Sequence, residues 1–344
     1  MKRRQRSSNR YQPDRREYLR WTAAISMGYL AGQGRADEPE QPRDAPLPLE
    51  LAGPKPVETQ SAPWLRKTLK AGMARPPKGT TGNLWPRKMA MAAEAGFEGM
   101  EINTGENIDV HAAVEAAKEH GIVIDGTVGG YHWKVRHTDP NDDVRAEAMS
   151  LLTSSLQQTA DLGATTFLIV PGHGKDGAPD EVRQRAHAAI EAVIPLAEKL
   201  GVEILIENVW NHFLYDHDGD EDQSAQPLAD FIDSFGSPLV GCQFDLGNHW
   251  KYGDVADWVR TLDHRIRKLD IKGFSRASGR FCDITEGDID WASVQSALVA
   301  IDFTGWLAAE VGGGNQARLN QVAAQMDAAL ECDTPMKALR KRIG

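Results

Sequence analysis

Eight short apolar runs, each followed by a longer stretch of helical period, recur along this chain every 30 to 40 residues or so. Few folds satisfy that alternation. Strands joined by crossover helices pair in parallel, and the helices cover both faces of the sheet. The pattern predicts strands at Thr68–Met73, Gly99–Asn103, Ile122–Val128, Thr166–Val170, Glu203–Glu207, Val240–Asp245, Arg267–Ile271 and Trp306–Glu310. It predicts helices at Ala112–His120, Val144–Leu162, Val182–Leu200, Ala256–Leu262, Trp291–Ile301 and Leu319–Leu330. Gly96, Gly121, Gly163 and Gly201 stand where a left-handed cap turns a helix back into a strand. Eight such units close into an α/β fold, a (β/α)8 TIM barrel, here expected over residues 63–335. An open doubly wound sheet is the competitor. No G-x-G-x-x-G follows the first strand, so a dinucleotide fold gains no support.

Four acids then fall in one kind of place. Glu207, Asp245, Asp270 and Glu310 end four successive predicted strands, and strand ends converge on the mouth where such barrels do chemistry. Clustered carboxylates repel and resist desolvation, so a divalent cation among them is the expected remedy. Taken singly, Glu207 reads equally well as a structural ion pair. Alternation puts Asp270 and Lys272 on one face, either as a salt bridge or as a ligand beside a carbonyl-polarising ammonium. Gly247 permits a tight backbone after Asp245, and His249 offers a nitrogen. Gly312, Gly313 and Gly314 let backbone approach a ligand, a weak hint of a phosphate grip. His132 and Trp133 follow the third strand as a candidate wall for a sugar ring, and His173 follows the fourth. The acidic run beginning at Asp216 lacks the glycine and final glutamate of a calcium loop, so a solvated loop is expected.

Charge narrows the partners. Residues 1–36 hold nine Lys/Arg and two Asp/Glu; the remainder then holds 30 and 47, a net of −17. An acidic body argues against nucleic acid, and no run approaches the ~20 apolar residues of a membrane span. Arg15-Arg16 ahead of Tyr18-Leu19 and the modest apolar run Trp21–Gly32 resemble a twin-arginine export signal over residues 1–36, so export is expected, with a cytoplasmic location as the alternative. A disordered basic tail is the competing reading. Residues 37–62 form a proline-rich linker, and 336–344 a basic C-terminal tail. Cys242, Cys282 and Cys332 are too few and too far apart for a disulfide framework or zinc knuckle.

Ile206-Glu207-Asn208-Val209-Trp210-Asn211, Phe244-Asp245-Leu246-Gly247-Asn248, Glu286-Gly287-Asp288-Ile289-Asp290-Trp291 and Ala309-Glu310-Val311 resemble the sugar-phosphate isomerase/epimerase family with a xylose isomerase-like TIM barrel, which includes ketose 3-epimerases and L-ribulose-5-phosphate (L-xylulose-5-phosphate) 3-epimerases. The likeness covers about Trp64 to Leu330. It implies one divalent ion (Mn2+, Mg2+, Co2+ or Zn2+) on Glu207, Asp245, Asp270 and Glu310, with the two glutamates as acid/base pair. The family's usual H-x-K reads Asp270-Ile271-Lys272 here. Asp270 therefore either ligates a harder cation, or pairs with Lys272 while His249 supplies the nitrogen. Asn208, His249 and Arg276 are implied substrate contacts, and Lys272 or Arg276 would stabilise developing charge.

The expected activity is metal-dependent isomerisation or epimerisation of a ketose, sugar phosphate or modified sugar through a cis-enediolate. A lyase on 3-keto-glycosides and a non-catalytic sugar-binding barrel are the alternatives. The expected partner is a small sugar, with no nucleic acid, no membrane after export, and homo-oligomerisation left open.

Overall fold

In the computed structural model, the described residues are 64–105, 108–216 and 219–343, all within one compact unit. The twin-arginine-like segment and the proline-rich linker lie outside them.

Strand β1 (Leu65–Lys70) leads to helix α1 (Trp85–Glu94), then β2 (Gly99–Asn103), α2 (Val110–His120), β3 (Val123–Val128), α3 (Asp142–Asp161), β4 (Thr166–Ile169) and α4 (Pro179–Leu200). The second half runs β5 (Glu203–Glu207), α5 (Gln226–Asp233), β6 (Val240–Asp245), the short α6 (Leu246–Trp250), α7 (Val255–Leu262) and β7 (Ile266–Ile271). A small hairpin follows, β8 (Gly273–Ser275) and β9 (Arg280–Cys282), before α8 (Trp291–Ala300), β10 (Gly305–Ala309), α9 (Gln316–Leu330) and α10 (Met336–Ile343). Eight parallel strands close in the order β1-β10-β7-β6-β5-β4-β3-β2. The TIM barrel read from the alternation is the fold observed.

Local chemistry sets the boundaries. Side chains of Asp109, Asn141, Asp254, Asp290 and Asn315 accept backbone N–H bonds at helix starts, satisfying donors the first turn leaves open. Pro86, Pro179 and Pro227 sit in first turns, where a missing N–H costs nothing. The four expected glycines all adopt positive φ, between 66° and 85°. No helix among the described residues is long and apolar enough to cross a membrane.

Three differences from the expectation matter. The first strand begins and ends three residues earlier than read, so Lys70 occupies its C-terminal end. The β8–β9 hairpin was not foreseen; its antiparallel pairing places Phe281 opposite Phe274. Within the segment read as a basic tail, Met336–Ile343 is helical and buries Leu339.

Candidate metal centre

Register brings the acids together. Asp245 at the end of β6 lies level with Asp270 on β7, while Glu207 ends β5 and Glu310 follows β10. One oxygen from each of the four lies within 4.8 Å of the others. Asp245 and Asp270 form the buried floor; Glu207 and Glu310 open into a cavity of about 740 Å³ at the strands' C-terminal ends.

Two lysines are threaded through the cluster. Lys272 Nζ stands 2.7 Å from both Asp245 Oδ2 and Glu310 Oε2. A Cβ on residue 247 would lie 2.5 Å from the Lys272 Cγ, so glycine there admits the lysine stem. On the other side, Lys70 Nζ pairs with Glu101 Oε2 at 2.5 Å and Asp270 Oδ1 at 2.9 Å. Gln243 Nε2 also donates to Asp270 Oδ1, at 2.9 Å. Below lies a polar layer inside the barrel: Lys268 pairs with Glu101 and Asp125, and Thr68 Oγ1 donates to Asp125 at 2.5 Å.

These surroundings set the protonation. Burial pushes the Asp245 carboxyl up to about 8, with Lys272 pulling against it and Glu310 adding to the rise. Burial raises Asp270 to about 6 against the pull of Lys70. Glu207 lies well above the ordinary carboxylate range, by burial first and then by the charges of Glu310 and Asp270. Burial opposes ionisation of Glu310 too, but Lys272 and Lys70 overcome it and hold the group at about 2. Lys272 is raised: burial lowers it, and Asp245 and Glu310 more than offset that.

Do these residues fit a cation? Six carboxylates (Glu101, Asp125, Glu207, Asp245, Asp270, Glu310) face three ammonium groups (Lys70, Lys268, Lys272), an excess of three negative charges when all are ionised. Four clustered carboxylates are the hard donor set that Mg2+ or Mn2+ takes. They fit. The two floor carboxylates are the most committed, Asp270 shared with Lys70 and Gln243, and Asp245 with Lys272 and the Asn248 N–H. The alternative in which Asp270 pairs with Lys272 and His249 completes the ligand set is not what is built: Lys272 goes to Asp245 and Glu310.

The other sequence candidates divide. His132 and Trp133 line the cavity as expected, and their rings meet edge to face at 5.3 Å. Burial, with His137 and Lys70 adding, lowers His132 to about 3, so its ring is neutral. Its Nδ1 accepts from the Val170 N–H at 3.3 Å, which puts its proton on Nε2.

Asn208 does not line the cavity. Its amide exchanges hydrogen bonds with the Asp245 backbone at 2.7 and 2.8 Å, which ties the end of β5 to the end of β6. His249 is fully buried against Trp258, 3.8 Å between ring centroids, and near Tyr215 and Phe244, and does not line the cavity. Arg276 donates to the carbonyls of Trp250 and Gly253 and pairs with Glu221, which spends its guanidinium outside the main cavity. His173 caps a short 3-10 turn by accepting from the Lys175 N–H, also off the cavity lining.

The glycine run is a latch. A Cβ at residue 313 would lie 2.3 Å from the Met73 backbone; the Gly314 N–H donates to the Met73 carbonyl and the Gly314 carbonyl accepts from the Arg75 N–H, both at 3.0 Å. We expect Gly313→Ala to cost about 1–3 kcal/mol by overpacking, read as a lowered thermal midpoint; an unchanged midpoint would refute the latch.

Sequence reasoning missed Lys70, Glu101, Asp125, Gln243 and Lys268 in the interior, and Trp85, Trp210 and Phe281 on the cavity wall. With the first strand read as Thr68–Met73, Lys70 falls inside it; only at the end of Leu65–Lys70 does it carry the same signal as the four acids.

Comparison with known proteins agrees with this architecture. No curated protein sequence matches the chain. Among solved structures, an L-ribulose 3-epimerase superposes with a TM-score of 0.65 at 19% identity, covering 81% of this chain and 96% of its own. D-Psicose 3-epimerase from Clostridium cellulolyticum H10, solved with D-tagatose, gives 0.60 at 17%, covering 77% and 98%. The apo 3-keto-D-glucoside 4-epimerase from E. coli gives 0.60 at 14%, covering 80% and 99%. Likeness at such identities is a likeness of fold. Residues 89–332 match the model of one protein family over most of the chain's length. The chain belongs to the xylose isomerase-like TIM barrel family.

Proposed function

We propose that this barrel is a divalent-metal-dependent isomerase or epimerase of a ketose or modified sugar. The observation that carries the reading is the convergence of Glu207, Asp245, Asp270 and Glu310 on one point of the mouth, with Lys272 between two of them. The four carboxylates would hold the ion, which when bound supplies Lewis-acid polarisation of a substrate carbonyl.

The protein's own groups do the proton work. Glu207 and Glu310 both reach the cavity, and strands β6 and β7 separate the strands that carry them. One takes the proton from the carbon beside the carbonyl, and the other returns it to the opposite face, inverting that centre. Lys272 donates toward negative charge developing on oxygen. Asn208 and the Asn248 N–H, which donates to Asp245 Oδ1 at 2.8 Å, hold the Asp245 carboxylate in place.

A phosphorylated substrate is the less supported choice. Lys70 and Lys272 are already tied to carboxylates, and the glycine run packs on Met73. A neutral sugar also suits the export expected from the N-terminal sequence. The same proton removal leads to elimination on a 3-keto-glycoside, the second reading; a fold neighbour, itself an epimerase, takes a 3-keto-glucoside. Mass spectrometry of products separates them, since epimerisation conserves mass and elimination frees an aglycone.

Metal affinity should rise with pH. A ligating carboxylate must be ionised, and Asp270 and Asp245 titrate at about 6 and about 8 in the metal-free protein. Calorimetric titration with Mn2+ should show stronger binding at pH 8 than at pH 6, with protons released on binding. Equal affinity at both pH values would count against these carboxylates as the ligands.

A further inference from the structure

Trp85, Trp133, Trp210 and Phe281, from four different segments, stand around the mouth of the cavity. Among the described residues only four large hydrophobics are exposed, and two of them, Trp133 at 54% and Phe281 at 46%, line this one cavity. Exposed aromatic surface is unfavourable in water, and this chain buries such rings elsewhere, as at Trp64, Phe167, Phe231 and Phe244. The β8–β9 hairpin carries Phe281 to its place. There its ring centroid lies 4.9 Å from that of Trp210 and 4.8 Å from Lys272 Nζ. The aromatic platform therefore begins beside the ammonium that joins Asp245 and Glu310. A cavity of about 740 Å³ is also of the size that buries a drug-sized ligand, more than one sugar ring requires.

We propose that the aromatic rim is a second subsite, and that this barrel takes a two-ring glycoside. The reacting sugar lies on the carboxylate floor, and its other ring lies flat against Trp133 or the Trp210–Phe281 platform. The reacting ring's identity rests on the sugar chemistry proposed above; the rim's preference for a flat, apolar-faced ring does not.

The test is calorimetric titration of the full-length, Mn2+-loaded protein with methyl β-D-glucopyranoside, phenyl β-D-glucopyranoside and cellobiose. A second ring should raise affinity roughly tenfold over the methyl glycoside. That ratio should fall to within about twofold of unity in Trp133→Ala/Phe281→Ala, a surface double variant whose fold is checked by circular dichroism. A phenyl preference assigns an apolar aglycone to the rim, and a cellobiose preference assigns a second sugar. Equal affinity for all three, or a ratio that survives both substitutions, overturns the proposal. Solvent-deuterium exchange into D-fructose, run on the same samples, keeps the two readings apart. Ring preference without exchange retains the rim and removes the floor's assigned chemistry; exchange without ring preference does the reverse.

Discussion

Glu207→Gln and Glu310→Gln should each reduce incorporation of solvent deuterium into substrate by about 10²–10⁴-fold, measured by NMR at saturating Mn2+. Glutamine preserves the shape and one oxygen of the side chain but cannot accept or deliver the proton. Both carboxylates reach the cavity, and inversion needs one group for removal and another for return. The metal content of each variant is measured alongside, so that loss of proton transfer is separated from loss of the ion. Full exchange in either variant with metal present would remove that glutamate from the mechanism.

The largest stability effect is expected deeper in the barrel. Lys268 is 1% exposed and joins Asp125 to Glu101, its Nζ 3.2 Å from Glu101 Oε1. Among the described residues, Lys268→Met would leave the Asp125 carboxylate with only Thr68 and that of Glu101 with only Lys70 and Gln243. Stranding buried charge in this way costs about 3–5 kcal/mol, roughly a 10 °C fall in the thermal midpoint for a barrel of this size. The sign with pH follows. A carboxyl left buried without its partner has a folded-state pKa raised above its unfolded value, so the folded form binds the extra proton. The deficit of the variant should therefore shrink as pH falls toward the carboxylate range and widen as it rises. Adding Asp125→Asn should recover part of the loss at neutral pH. A variant as stable as the parent at pH 8 would show that the pair contributes nothing to the fold.

The mouth of the barrel and its interior differ in how far the sequence makes them legible. Strand ends are readable because an acid after an apolar run breaks the pattern, and Glu207, Asp245, Asp270 and Glu310 all do so. The interior of the barrel is not readable in the same way. Glu101, Asp125, Gln243 and Lys268 lie within strands, and a single polar residue there looks like ordinary solvent-facing alternation, although all four are buried in partnership. Pairings across the closed sheet depend on register, which no local pattern supplies. Lys70 meets Asp270 because β1 lies three residues earlier than its apolar pattern suggests, and that pairing leaves Lys272 to Asp245 and Glu310. His249 and Arg276 lie off the main cavity for a related reason. Their residue types suit a site, but a local packing partner or carbonyl claims each of them. Phe281 depended on a hairpin of three-residue strands, too short to show a period.

The most direct test of the central claim is NMR of ketohexoses and a 3-keto-glucoside in deuterated water with the Mn2+-loaded protein, before and after chelation. The account predicts deuterium at the carbon beside the carbonyl, lost on chelation and regained with Mn2+. A protein that holds one equivalent of metal yet exchanges no proton in any of these sugars would contradict it, and would leave a sugar-binding barrel without catalysis as the better description.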